Sequence, residues 1–392
     1  MVAFGTLFYA YSIFITGEAA GSEFSISLLS LAWTGAVLVG GVSAFLVGRY
    51  ADRHGVRGIM GVGSLVGAAG LLLLGLSQEA WQVVLVSWLL IGPAGAMTFY
   101  EPAFVAVDQW FGLAASTRSL ATLTVIGGLA GPIFIPLTGF MTVEIGWRPA
   151  AVVLAVILLT TGVITTLFVF PNHNRHPEAH HNTRPHTGLR TLSRDRHFAF
   201  FTAATLLTFA TVQAMIFHRI AVFEQAGFAV TAVALWAALS GLMSLPGRWI
   251  APHVSNRIRP VLVTAVVTLI MGAAVAAAAV AADTWQMAGH FVVFGMAFGA
   301  LTPMRAVVMG RWYSGPEYGR IMGMQWTIVA TLAAAGPLIV GLMRDGLGSY
   351  TVPIALTGAM LLVAAGLTAA AEPSSRAPSK GEPTGDDRLE RS

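Results

Sequence analysis

Ionisable side chains inside long apolar stretches are the first residues here that could do chemistry. Glu101 stands in Tyr100-Glu101-Pro102, and Arg305 in Thr302-Pro303-Met304-Arg305. Each lies within a run of mostly apolar residues. A charge placed in an apolar solvent is costly, so such residues mark solute paths, proton relays or ion pairs. A carboxylate and a guanidinium at matching depth can bind a charged solute, carry a proton, or pair with each other. His218, Arg219 and His290 are further candidates of the same kind. Histidine changes charge near neutral pH and can shuttle protons. Tyr9, Tyr11, Phe14, Tyr100 and Trp326 supply aromatic surface near these groups.

The runs that carry these residues dominate the chain. Of 392 residues 56% are hydrophobic and only 10% charged, and the mean hydropathy is +0.73. A soluble domain carries roughly a quarter charged residues, so this chain needs an apolar solvent. Runs of about 20 apolar residues span a bilayer. Twelve are legible: 2–16, 27–47, 59–76, 81–107, 120–143, 149–170, 198–223, 231–250, 261–282, 285–309, 321–343 and 352–371. The expected fold is an all-α polytopic membrane protein of twelve transmembrane helices in two six-helix halves. Residues 1–170 form the first bundle and 198–371 the second. Residues 171–197 form a linker rich in His and Arg, and 372–392 a disordered polar tail.

Charge asymmetry supports that count. With both termini on the cytoplasmic side, all but four of the 22 Lys and Arg fall in cytoplasmic segments, Arg248 among them. The four are Arg148, Arg219, Arg305 and Arg344. The opposite segments hold Glu18, Glu23, Glu79, Glu144, Glu224 and Asp283. This is the positive-inside pattern. It places the protein in the cell membrane, in bacteria the inner membrane, and assigns the basic charge to topology rather than nucleic acid. The halves also read as copies. Gly48-Arg49-Tyr50 matches Gly247-Arg248-Trp249, Trp110-Phe111 matches Trp312-Tyr313, and Gly131-Pro132 matches Gly336-Pro337, in one order and at similar spacing. Duplicated halves with a site between them are a transporter architecture.

No cofactor is expected. The chain has no Cys, which excludes disulfides and thiolate chemistry. Neither HExxH, GxSxG nor a Walker loop occurs, so an enzyme is not expected. His173, His176, His180, His181 and His186 crowd the linker without a carboxylate cluster, which reads as a solvated cationic segment and not a metal site.

The most specific motif is Gly48-Arg-Tyr-Ala-Asp52-Arg53-His-Gly55-Val-Arg57. It resembles the signature loop of the major facilitator superfamily, Gly-x-x-x-Asp-Arg/Lys-x-Gly-x-Arg/Lys, at every position. The resemblance implies a latch between the halves on the inner face, with Asp52 meeting the start of helix eleven near 319–321. Arg53 and Arg57 are expected to pair with carboxylates. The second copy, Gly247-Arg248-Trp249-Ile250-Ala251, lacks the Asp and reads as structural. The resemblance also implies that helices one, four, seven and ten line the cavity, which puts Glu101 and Arg305 on one path.

Within the family the first half is similar to a monocarboxylate-porter-like branch. Trp110-Phe111, Arg118 before a run of small residues, and Gly146-Trp147-Arg148 carry that likeness. That branch places a basic residue in helix eight. Here the stretch from Trp236 to Leu245 has no charge, so an anionic substrate would have to draw on Arg305 or Arg219. Gly127-x-x-x-Gly131-Pro132 resembles part of the helix-five motif of proton-coupled drug exporters. Ile135 and Pro136 stand where that motif has glycines, and ordinary small-residue packing explains the rest. The expectation is a monomeric secondary transporter of a small organic solute, coupled to protons. Its rivals are an exporter of apolar compounds and a non-transporting sensor.

Overall fold

A computed structural model describes residues 1–14, 23–24, 26–111, 113–170, 192 and 195–372. The linker histidines and the tail beyond 372 lie outside the described residues. Among the described residues there is no strand, and the chain is a succession of helices. They are α1 (residues 2–14), α2 (Ile26–His54), α3 (Val56–Leu76), α4 (Ala80–Trp110), α5 (Leu113–Gly128 and Ala130–Ile145), α6 (Trp147–Val169), α7 (Arg196–Gln225), α8 (Val230–Val254), α9 (Pro260–Ala278), α10 (Thr284–Tyr313), α11 (Tyr318–Ala333 and Gly336–Leu347) and α12 (Thr351–Ala370). All but α1 and α8 are long and apolar enough to cross a membrane by themselves.

Local chemistry sets the helix ends. Asp195 caps α7 by accepting from the His197 amide, and Asp283 caps α10 by accepting from that of Gln286. Glu79 and Gln82 form a reciprocal capping box at the start of α4. Such side chains satisfy amides that have no partner within the helix. The repeated Gly-Pro pairs also have a shared role. α5 breaks at Leu129, just before Gly131-Pro132, and α11 breaks at Ala334–Ala335, just before Gly336-Pro337. Proline cannot donate the backbone bond that would carry a helix straight through.

The two bundles meet along two seams. In one, α2 packs along the first segment of α11. Glycines bring these backbones together: a Cβ on Gly48 would lie 2.0 Å from the Gly319 carbonyl oxygen, and one on Gly323 2.3 Å from that of Ala44. Thr327 spans the same seam, its hydroxyl donating to the Gly41 carbonyl at 2.6 Å. In the other seam, the first segment of α5 packs on α8 and α10. Both seams run through the half of the molecule nearer the basic face. The outer segment Gly336–Leu347 instead packs on α7 and α12 of its own bundle.

Candidate functional site

α4 breaks its hydrogen-bond ladder at Phe99 and restarts at Tyr100. Pro102 therefore sits in a first turn, where its missing amide costs little. Glu101 lies in that turn, where a negative charge is favoured by the helix dipole. In α10 the equivalent Pro303 lies inside an unbroken helix. The two side chains meet between the bundles. Arg305 Nη1 donates to Glu101 Oε1 at 2.8 Å and Nη2 to Oε2 at 3.3 Å. Arg305 also donates through Nε to Gln325 Oε1 at 2.9 Å and through Nη2 to the Met322 carbonyl at 3.1 Å. Its guanidinium stacks over Trp326 at 4.9 Å. The side chains of Arg305 and Glu101 are 3% and 8% exposed. A forked, buried, multiply bonded pair of this kind tolerates both charges, but losing one partner would strand the other.

The latch residues come together at the basic face. Asp52 accepts from the Gly319 and Arg320 amides, both at 2.7 Å. These are free amides of the first turn of α11, where the dipole also favours a carboxylate. Gly48 permits the approach. Gly55 has φ of 77°, a left-handed conformation that glycine adopts without cost. The expected arginine pairings are not found. Arg57 donates to the Thr166 carbonyl at 2.7 Å within the first bundle. Arg53 is exposed and has no carboxylate partner among the described residues. Asp108 and Gln109, at the end of α4, reinforce the latch: Asp108 accepts from the Gly315 amide at 3.3 Å, and Gln109 donates to the Ala51 carbonyl at 3.0 Å.

Sequence reasoning missed Arg248. It appeared to belong to a cytoplasmic segment and to a degenerate copy of the latch. The structure corrects the surface placement, because α8 continues through Pro246 to Val254 and carries Arg248 inside the protein. Arg248 is 6% exposed. It reaches across the second seam, donating through Nη1 to the Tyr100 hydroxyl at 3.1 Å and the Thr124 carbonyl at 3.3 Å. It packs against Gly128, and its Nε has no partner. Among the described residues no carboxylate pairs with it. Helix eight therefore does contain a buried cation, one turn beyond Ser244. The continuation of run 231–250 past Pro246 was the available signal.

The helix-five glycines make room for rings. A Cβ on Gly127 would lie 2.5 Å from the Tyr100 hydroxyl, and one on Gly131 3.1 Å from the Tyr9 ring. Tyr9 and Tyr100 thus flank the seam where Arg248 enters. Gly336 packs instead on the Ala210 carbonyl of α7.

The histidine candidates separate. His218 has both ring nitrogens engaged, Nε2 with the Pro337 carbonyl at 2.9 Å and Nδ1 with the Tyr350 hydroxyl at 3.1 Å. The carbonyl can only accept, so Nε2 carries the proton and Nδ1 accepts. His218 ties α7 to α11 and α12. His290 is 3% exposed, donates through Nδ1 to the Ala274 carbonyl at 2.9 Å and leaves Nε2 without a partner. Arg219 stacks over Phe291 at 5.6 Å. Both lie away from the Glu101–Arg305 pair.

A family model described as Major Facilitator Superfamily matches residues 1–287. The chain is 22% identical to monocarboxylate transporter 4 of Rattus norvegicus over 356 residues, 87% of this chain and 74% of that protein. Its fold superimposes on the E. coli fucose:proton symporter FucP with a TM-score of 0.76 at 12% identity, covering 95% of this chain and 98% of that one. The human organic anion transporter MFSD10 superimposes with a TM-score of 0.70 at 17% identity, covering 94% and 89%.

Proposed function

The chain belongs to the Major Facilitator Superfamily and is a multi-pass membrane transporter rather than an enzyme, and we propose that it carries a small organic monocarboxylate together with a proton. The observation that carries this reading is Arg248, a buried guanidinium at the seam between the halves with no counter-ion among the described residues. A buried cation without a partner is costly, and a substrate carboxylate would relieve that cost through forked hydrogen bonds. The resemblance of the first half to monocarboxylate porters, and the rat relative's name, point to the same substrate class.

Glu101 then carries the proton. When protonated it no longer opposes Arg305 as a charge, and the link between α4 and the α10–α11 pair weakens. Proton and carboxylate cross together without net charge. The latch at Asp52 holds the basic face closed until that link loosens. In this reading the basic face is cytoplasmic, both termini lie there, the membrane is the cell membrane, and one chain suffices because the site lies between its own halves. The test is uptake into proteoliposomes with an alkaline interior. Labelled acetate, lactate or pyruvate should accumulate in wild type and not in Arg248→Gln. Arg248→Lys should recover only part of the rate, because lysine lacks the fork. Accumulation of a neutral sugar or an apolar amine, with none of the carboxylates moved, would overturn the proposal.

A further inference from the structure

A small cavity opens inside the second bundle, between α7, α9, α10 and α12, on the side of Arg305 away from Glu101's bundle. Thr205, Thr208, Thr264, Thr268 and Thr368 line it together with Arg305. Each of these hydroxyls already donates its hydrogen to a carbonyl of its own helix, at 2.7 Å for Thr205 and Thr208, 2.8 Å for Thr264 and Thr368, and 2.9 Å for Thr268. A hydroxyl has one hydrogen and two lone pairs. The cavity therefore offers acceptor sites from the threonines and one donor hydrogen from the arginine. The four bonds that Arg305 makes to Glu101, Gln325 and Met322 use four of its five N–H groups. The cavity has room for about one water molecule, and a buried water needs two to four polar partners.

We infer that this cavity is a water site built into the second bundle, in which one water donates to threonine oxygens and accepts from Arg305. The chemistry selects water over other small occupants. A metal cation or ammonium would face the arginine's charge, an anion would face threonine lone pairs, and an apolar atom would use neither the free lone pairs nor the remaining N–H. The site gives Arg305 a second set of partners, independent of Glu101. Its consequence for transport rests on the reading of Glu101 as the proton carrier. When Glu101 takes up a proton, the guanidinium keeps a hydrated partner in addition to Gln325 and Met322. The presence of the water does not depend on that reading.

Radiolytic hydroxyl footprinting of the purified full chain tests the site, because bound water generates radicals that label adjacent side chains. Phe201, which lines this cavity, and Phe14, which lines an apolar cavity of the first bundle, are both 2% exposed. Phe201 should be labelled several-fold more than Phe14. The Thr208→Val/Thr268→Val variant removes two acceptors at nearly constant shape and should bring Phe201 down to the Phe14 level. Equal labelling of the two phenylalanines in wild type, or unchanged Phe201 labelling in the variant, would overturn the water site. A separate arm addresses transport. In the same variant, accumulation driven by a pH gradient should fall about tenfold while exchange of substrate across the membrane continues. Normal accumulation alongside lost labelling would remove the transport role and leave the water. Should Phe201→Leu be needed to assign the labelled peptide, its loss of signal at that peptide identifies the position.

Discussion

The interiors of the two bundles differ although their helices are copies. The cavity of the first bundle is lined by Tyr11, Phe14, Leu29, Leu74, Val83 and Trp147, and one hydroxyl contact, Tyr11 to Ser87 at 3.1 Å, is its main polar feature. The cavity of the second bundle is lined by threonines and reaches Arg305. The first lies where α1, α2, α3, α4 and α6 meet. The second reaches a charge. The bundle that contributes Glu101 has an apolar cavity, and the bundle that contributes Arg305 and Arg248 has a threonine-lined one.

The largest effect that tests this division comes from breaking the buried pair. Arg305→Ala should cost about 3–5 kcal/mol in thermal or denaturant stability, because Glu101 is left uncompensated. The double variant with Glu101→Ala should recover part of that loss, the signature of coupled sites. Glu101→Gln should abolish accumulation under a pH gradient and spare exchange. Equal and additive losses in the single variants would mean that the residues do not act as a pair.

Next comes the contrast between the cores. Leu74→Ala in the apolar cavity should cost about 2–5 kcal/mol. Thr268→Val in the polar cavity should cost about 1 kcal/mol, the scale of one hydrogen bond. Melting curves in one detergent decide this, and the comparison breaks if the two losses are equal. Asp52→Asn should shift the conformational balance by about 0.3–2 kcal/mol, slowing transport several-fold while leaving the folded protein intact. Wild-type rates in that variant would reduce the latch to a turn.

The smallest effect lies at the outer surface. Glu23 accepts from Arg148 Nη2 at 2.5 Å and from Trp147 Nε1 at 2.9 Å. The hydrogen bond from Arg148 holds the Glu23 carboxyl below its usual range, with partial burial opposing it and the Trp147 hydrogen bond adding to it. A depressed carboxylate pKa stabilises the fold above its ordinary value, and that contribution is lost as the pH falls through the folded-state pKa. Glu23→Gln should therefore lower stability by about 0.2–1 kcal/mol at neutral pH, as for an exposed pair, and by nothing in strong acid. A pH-independent difference would remove the assignment.

Much of this was legible in the residues. Hydropathy and the basic asymmetry give the twelve helices, because the bilayer imposes both. The latch follows from a contiguous motif, and Pro102 with Pro303 sets Glu101 and Arg305 at one depth. Arg248 was hidden by the same reasoning. Its match to Arg49 and the charge asymmetry both assign it to the surface, yet Arg49 is exposed and Arg248 is buried. Contacts remote in sequence, with Tyr100, Thr124 and Gly128, separate the two. The arginines of the latch motif were misread for a related reason: a motif specifies residue types and not which carbonyl or carboxylate each finds. The threonine cavity draws on four helices, and no local pattern announces such a convergence.

The central claim, that Arg248 receives a carboxylate, is tested most directly by ligand-dependent melting of the purified protein. A ligand bound only by the folded state at a hundred times its dissociation constant adds about 2.7 kcal/mol. A small monocarboxylate should raise the melting temperature of wild type and leave that of Arg248→Gln unchanged. An equal rise in Arg248→Gln would contradict the account.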